Sequence, residues 1–109
     1  NQTGVRCAFV GSGAGGNSTV SDNTFIGQGS GSAITTGDAN TILGRYSGNE
    51  SGLDIRTSSN NIVLSDGDGN VRMYINSSGN ALVGKTSADN STVGISLYGA
   101  DGMWSYNNM

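Results

Sequence analysis

One short cassette recurs along the chain: asparagine, threonine, two apolar residues, glycine. Asn23-Thr24-Phe25-Ile26-Gly27 returns as Asn40-Thr41-Ile42-Leu43-Gly44, and Cys7-Ala8-Phe9-Val10-Gly11 is a degenerate earlier copy. The closing glycines stand at 11, 27 and 44, in steps of 16 and 17 residues, and each is followed by small or polar residues. Self-similarity at a fixed period marks a stacked architecture, in which one unit cannot bury its apolar side alone. A period this short has room for one short strand, a turn and a return. The expected fold is therefore all-β: a short-strand β-solenoid or interlocked trimeric β-fibre, followed by β-hairpins.

Two segments are expected. Residues 1–50 read as a repetitive, glycine-rich coil of short strands, with a strand over 5–10 and turns at Ser21-Asp22-Asn23 and Thr36-Gly37-Asp38. The glycines there suit backbone positions of positive φ or close approach between stacked coils. The asparagine before each strand either bonds backbone groups at the corner, stacks on its counterpart one coil away, or forms an ordinary Asx turn. Residues 51–109 read as longer strands, over 53–57, 61–65, 71–75, 81–83 and 92–98. Hairpin signals lie at Asp66-Gly67-Asp68-Gly69-Asn70 and Asn76-Ser77-Ser78-Gly79-Asn80. In Val71-Arg72-Met73-Tyr74-Ile75 the apolar odd members alternate with Arg72 and Tyr74, which predicts one buried face.

Composition limits what such a chain can do. Hydrophobic residues make up 34% of its 109 residues, low for a compact core, and Pro is absent while Lys occurs once. Burial against other copies of the chain accounts for this better than disorder, which brings Pro, Lys and Glu enrichment. The net charge of −3, with five basic residues spread singly, lacks the basic stripe of a nucleic-acid-binding protein. No apolar run approaches a membrane span, and no signal peptide opens the chain, which reads as a piece of something longer. Cys7 stands alone, so an intrachain disulfide is excluded and a buried small apolar role is expected.

Several motifs carry chemistry elsewhere. Gly11-Ser12-Gly13-Ala14-Gly15-Gly16 matches the dinucleotide-binding pattern, but that pattern needs a helix at the glycines, and Asn17 to Asn23 is poor helix sequence. Asp66-Gly67-Asp68-Gly69-Asn70 matches the start of a calcium-binding helix–loop–helix. It then has Val71 where glycine is required and Ser77 where glutamate is required. A hairpin turn is the expected reading, with calcium on Asp66, Asp68 and Asn70 the alternative. The chain has no His, which removes Ser-His-Asp, Cys-His and His-zinc machinery. Among its eight acids no pair stands out as a glycosidase couple. Asn-x-Ser/Thr acceptors, such as those at Asn17, Asn49, Asn76 and Asn90, are ordinary in a chain so rich in these residues. No enzyme, cofactor or metal is expected. Trp104 and Tyr106, in the most aromatic stretch, are the candidate receptor-binding residues, since aromatic faces stack on sugars. The competing reading packs them into a further strand layer.

The run from Asn23 to Asn70 resembles the shaft segments of bacteriophage tail fibres, particularly those of marine phages. There, NTF[IV]GxGxG and NTILGR cassettes precede a stretch like Gly52-Leu53-Asp54-Ile55-Arg56-Thr57-Ser58-Ser59-Asn60-Asn61-Ile62-Val63-Leu64-Ser65-Asp66-Gly67-Asp68-Gly69-Asn70. The likeness continues more loosely through Asn76 to Thr86. It implies a structural, non-enzymatic homotrimeric shaft in the virion, extracellular when it functions, which joins other tail proteins and carries a receptor-binding tip. The alternative is a carbohydrate-binding tip or trimeric adhesin head that engages host-surface glycans. Neither implies nucleic-acid binding or membrane insertion.

Overall fold

A computed structural model describes residues 5–98 together with the backbone of a strand at 104–107. Those residues form ten strands and no helix. The strands are β1 (Ala8–Val10), β2 (Thr24–Ile26), β3 (Thr41–Leu43), β4 (Asn49–Glu50), β5 (Leu53–Asp54), β6 (Ile62–Ser65), β7 (Val71–Ile75), β8 (Ala81–Val83), β9 (Gly94–Leu97) and β10 (Trp104–Asn107). Eight of them make one open sheet in the order β1-β2-β3-β6-β7-β8-β9-β10, and β4 pairs with β5 in a separate ribbon.

The cassettes account for the first half of that sheet. β1, β2, β3 and β6 are parallel and in register, so equivalent cassette residues lie side by side: Phe9 beside Phe25, Phe25 beside Ile42, Ile42 beside Val63. Sequence repetition translates directly into register because a slip of one residue would turn each apolar side chain to the other face. Phe9 and Phe25 show the result: their rings stack with centroids 4.9 Å apart and planes 4° from parallel, the spacing of neighbouring strands. β6 is a fourth copy. Asn61-Ile62-Val63-Leu64-Ser65 occupies the cassette positions with Ile for Thr and Ser for Gly.

At β6 the pairing changes. β7, β8, β9 and β10 follow as antiparallel neighbours, with an irregularity between Leu64 and Ser65. The sheet is thus mixed and runs unbroken past residue 50. Two turns of the same geometry link the first hairpins. In each, residue 1 bonds the backbone carbonyl of residue 5 (Asp66 N to Asn70 O, Asn76 N to Asn80 O), and residue 4 is a glycine with positive φ, Gly69 at 90° and Gly79 at 83°. The β4–β5 ribbon turns through Ser51 and Gly52, both of positive φ, the two-residue hairpin geometry that matches strand twist.

The core lies on one side of the sheet. Phe25, Ile42, Val63, Tyr74 and Leu82 project from successive strands and are buried. Ile34, Tyr46, Leu53 and Ile55, from the loops and the small ribbon, close over them. A single chain therefore covers this side with its own loops. The expected face of β7 is reversed: Tyr74, not its odd-numbered neighbours, is buried, because its register opposite Val63 places it in the inner row and its hydroxyl finds a buried partner. Some expected strands are shorter: 53–57 is reduced to Leu53–Asp54, 92–98 to Gly94–Leu97, and 5–10 to Ala8–Val10.

The cassette glycines set the spacing between coils. A Cβ on Gly27 would meet the Gly44 carbonyl oxygen at 2.3 Å, and one on Gly11 would meet the Gly27 oxygen at 2.4 Å. Gly27 also has φ of 141°. Gly27→Ala is expected to cost about 3 kcal/mol or more. Gly29→Ala, at a positive φ but in open space, is expected to cost about 1 kcal/mol. Urea unfolding of the two variants checks the contrast, and equal losses would contradict the close-approach account.

Candidate functional site

The chemically distinctive part of the described residues is a file of asparagines along the corner that precedes the parallel strands. Asn23, Asn40 and Asn61 are each almost wholly buried. Asn23 Oδ1 accepts the backbone N–H of Asn40 at 2.8 Å. Asn40 Oδ1 accepts the N–H of Asn61 at 2.9 Å and its side-chain Nδ2 at 2.9 Å. Asn61 Oδ1 accepts the Tyr74 hydroxyl at 2.9 Å. The other half of each amide bonds the corner: Asn23 Nδ2 donates to Gly37 O, and Asn40 Nδ2 to Ser58 O. Stacking on the counterpart one coil away and bonding at the corner thus occur together. A buried amide needs both halves satisfied, and the next corner along the stack satisfies both halves of Asn23 and of Asn40.

Cys7 holds the equivalent place in the first coil. Its thiol lies 3.4 Å from Val20 O, and Val20 stands three residues before Asn23, as Gly37 does before Asn40 and Ser58 before Asn61. The expected buried apolar role gives way to a half-buried ladder position. The cassette alignment already set Cys7 at the asparagine position; its bond toward the next corner follows from that alignment. The fourth rung, Asn61, was visible only as an asparagine two residues before an inward apolar residue, since its cassette lacks both Thr and Gly.

The remaining motif residues resolve into structure. Gly11 to Gly16 form turns, not a helix, and Gly15 N bonds Ser30 O at 2.8 Å, coil to coil. Gly15 lies against Phe9 and Gly31 against Phe25, each so close that a Cβ would overlap the ring. In the 66–70 turn, Asp66 Oδ1 accepts the N–H groups of Asp68 and Asn70, and Oδ2 accepts Asn70 Nδ2 and the Arg72 guanidinium. Asn76, which is uncharged, accepts the N–H groups of Ser78 and Asn80 in the same way. The two turns thus share one pattern of backbone N–H groups bonded to the first side chain, the hairpin turn expected from the sequence. Among the described residues no group of three or more acids or cysteines is placed to hold a metal. Trp104 and Tyr106 lie on β10, whose backbone pairs Trp104 with Leu97 and Tyr106 with Ile95. Their side chains lie outside the described residues.

Electrostatics follow these bonds. Hydrogen bonds from Asn70 and then Arg72 hold the Asp66 carboxyl well below its ordinary range. Asp89 is lowered by the Ser87 hydroxyl and by the N–H groups of Thr92 and Ser91. The Arg56 side chain lowers Asp54 to about 2. Burial raises the Tyr46 phenol, whose hydroxyl donates to Leu53 O at 2.7 Å. Lys85 is buried, its stem against Gly94 and its ammonium on the Asp89 carbonyl. These groups fasten turns, loops and the lid of the core.

No family model, curated protein or solved structure matches this chain.

Two outcomes follow from this geometry. Asn40→Ala removes the acceptor for Asn61 and the donor to Ser58, and is expected to cost about 3 kcal/mol or more. Cys7→Asn supplies an oxygen for the N–H of Asn23 and is expected to gain about 1 kcal/mol. Denaturant titration of both checks the ladder, and a destabilised Cys7→Asn would argue against the shared position. The depressed carboxylates Asp54, Asp66 and Asp89 stabilise the fold above the unfolded carboxylate pKa of about 3.9. That stability is lost as pH falls through their folded values. Melting temperature is therefore expected to be level from pH 7 to 5 and to fall below about pH 4. Asp66→Asn should keep the turn, as Asn76 does, and remove part of the acid-side fall. Calcium or a chelator should leave the melt of the wild type unchanged.

Proposed function

We propose that this chain is a structural, non-enzymatic segment of a phage tail fibre: a homotrimeric shaft, part of a short-strand β-solenoid or interlocked β-fibre. It carries a receptor-binding tip and joins other tail proteins of the virion. The observation that carries the reading is the in-register stacking of the Asn23 and Asn40 cassettes, the residues of its resemblance to marine-phage shaft segments. Each repeat of 16 or 17 residues adds one strand, about 4.8 Å of sheet, and is bonded to the next through strand, loop and asparagine. Such a stack lengthens by repetition without a new fold. Its described part is already elongated, within overall dimensions of 44 × 27 × 17 Å. Contact with a host-surface glycan belongs, on this reading, to the tip.

Light scattering and circular dichroism on one sample test the proposal. The expected result is a β-rich particle of three times the 11.0 kDa chain mass. A β-rich monomer would overturn the trimeric shaft.

A further inference from the structure

The side of the sheet away from the core is apolar and uncovered. The register that aligns the inner row also aligns an outer one: Val10 beside Ile26, Ile26 beside Leu43, Leu43 beside Leu64. It continues through Met73 to Val83 and Ile95. Val10 is 59% exposed, Leu43 50% and Ile95 45%. A second outward row includes Ile62 and Leu97, also exposed. Apart from Thr24 and Thr41, every position of these two rows from β1 to β9 is apolar. The stripe runs about 30 Å across the strands. The exposed large residues offer on the order of 600 Å², more than the roughly 400 Å² patch suited to a monomer surface and near the ~800 Å² per partner of a standard interface.

We infer that this stripe is the surface through which copies of the chain meet, an inference that rests on the shaft reading. Two features select a second copy as the occupant. The stripe carries no charged side chain, so a second copy of the same net charge of −3 meets no like charge across it. Asp22, Asp38, Asp66, Asp68 and Asp89 all lie in loops and turns outside the sheet. The stripe also crosses successive strands along the direction in which the cassettes stack. Identical chains arranged about an axis in that direction bring the whole stripe of each against its neighbours, and rotation closes the assembly. The inner face needs no partner, since Ile34, Tyr46, Leu53 and Ile55 already close it.

The test pairs Ile26→Glu/Leu43→Glu with Thr57→Glu, an exposed control off the stripe, and measures mass and circular dichroism of each. The expected result is a trimeric wild type and control, and a stripe variant that keeps its β spectrum at monomer mass. A Cys7→Ser/Leu43→Cys variant is expected to form covalent dimers on oxidation, which decides the matter even if the glutamate variant unfolds. A trimeric stripe variant with no cross-link at 43 overturns the assignment of the face and leaves the shaft reading standing. A monomeric wild type overturns the shaft reading and gives the stripe to another partner.

Discussion

The buried asparagine file holds the parallel strands in one register. A primary amide in an apolar corner is costly unless both its carbonyl and its NH2 are bonded, by roughly 1–3 kcal/mol for each group left unpaired. Here the side-chain carbonyls of Asn23 and Asn40 each accept from the next asparagine along the stack, Asn40 from both the backbone N–H and the side-chain amide of Asn61. Sliding a strand by one residue would leave two buried groups without partners and would turn Phe25 or Ile42 toward solvent. Hydrogen bonding and apolar burial therefore penalise the same error, and the cassette order Asn-x-apolar-x-Gly sets both terms five residues at a time.

The glycine that closes the cassette complements the asparagine that opens it. Asparagine fixes which residues align; glycine fixes how near the coils come. With side chains at 27 and 44 the backbones of adjacent coils could not turn the corner at strand spacing, since each Cβ would overlap the carbonyl of the next coil. The loop glycines at 15 and 31 serve the inner row instead, by letting the chain fold back onto the rings of Phe9 and Phe25. Close return of these loops allows Ile34 and Tyr46 to cover the sheet. Thus a chain with 34% hydrophobic residues still closes one face by itself.

Much of this was legible in the sequence, and the reason is locality. The repeats at 23 and 40, the all-β character, the φ-positive glycines and the hairpin turns at 66–70 and 76–80 depend on a few adjacent residues. What escaped depends on pairing at a distance. Asn61 belongs with Asn40 through a 21-residue step, unlike the 16 and 17 that precede it, because the β4–β5 ribbon is inserted between them. Tyr74 looked like the exposed member of its strand, since alternation alone cannot say which face of β7 meets the core. The lid residues Ile34, Leu53 and Ile55 follow no period at all. A shortage of apolar residues suggested that strands share a core between chains; within one chain the loops close over the inner row of the sheet, and the apolar surface left exposed is the outer one.

The ends of the asparagine file explain where parallel stacking starts and stops among the described strands. At Cys7 the side chain retains a weak donor toward Val20 O, but sulfur is a poor acceptor, so the first rung is bonded less firmly than those above it. At Asn61 the amide oxygen is taken by the Tyr74 hydroxyl, a group that arrives on the antiparallel strand β7. Within the parallel stack that bond comes from a backbone N–H of the next coil, as for Asn23 and Asn40; here a phenol on an antiparallel strand supplies it. Tyr74 thereby satisfies the last acceptor and fills the inner row beside Val63 with a single side chain. The cassette can repeat as long as each asparagine meets another, and it ends where an aromatic hydroxyl supplies the same bond from an antiparallel partner.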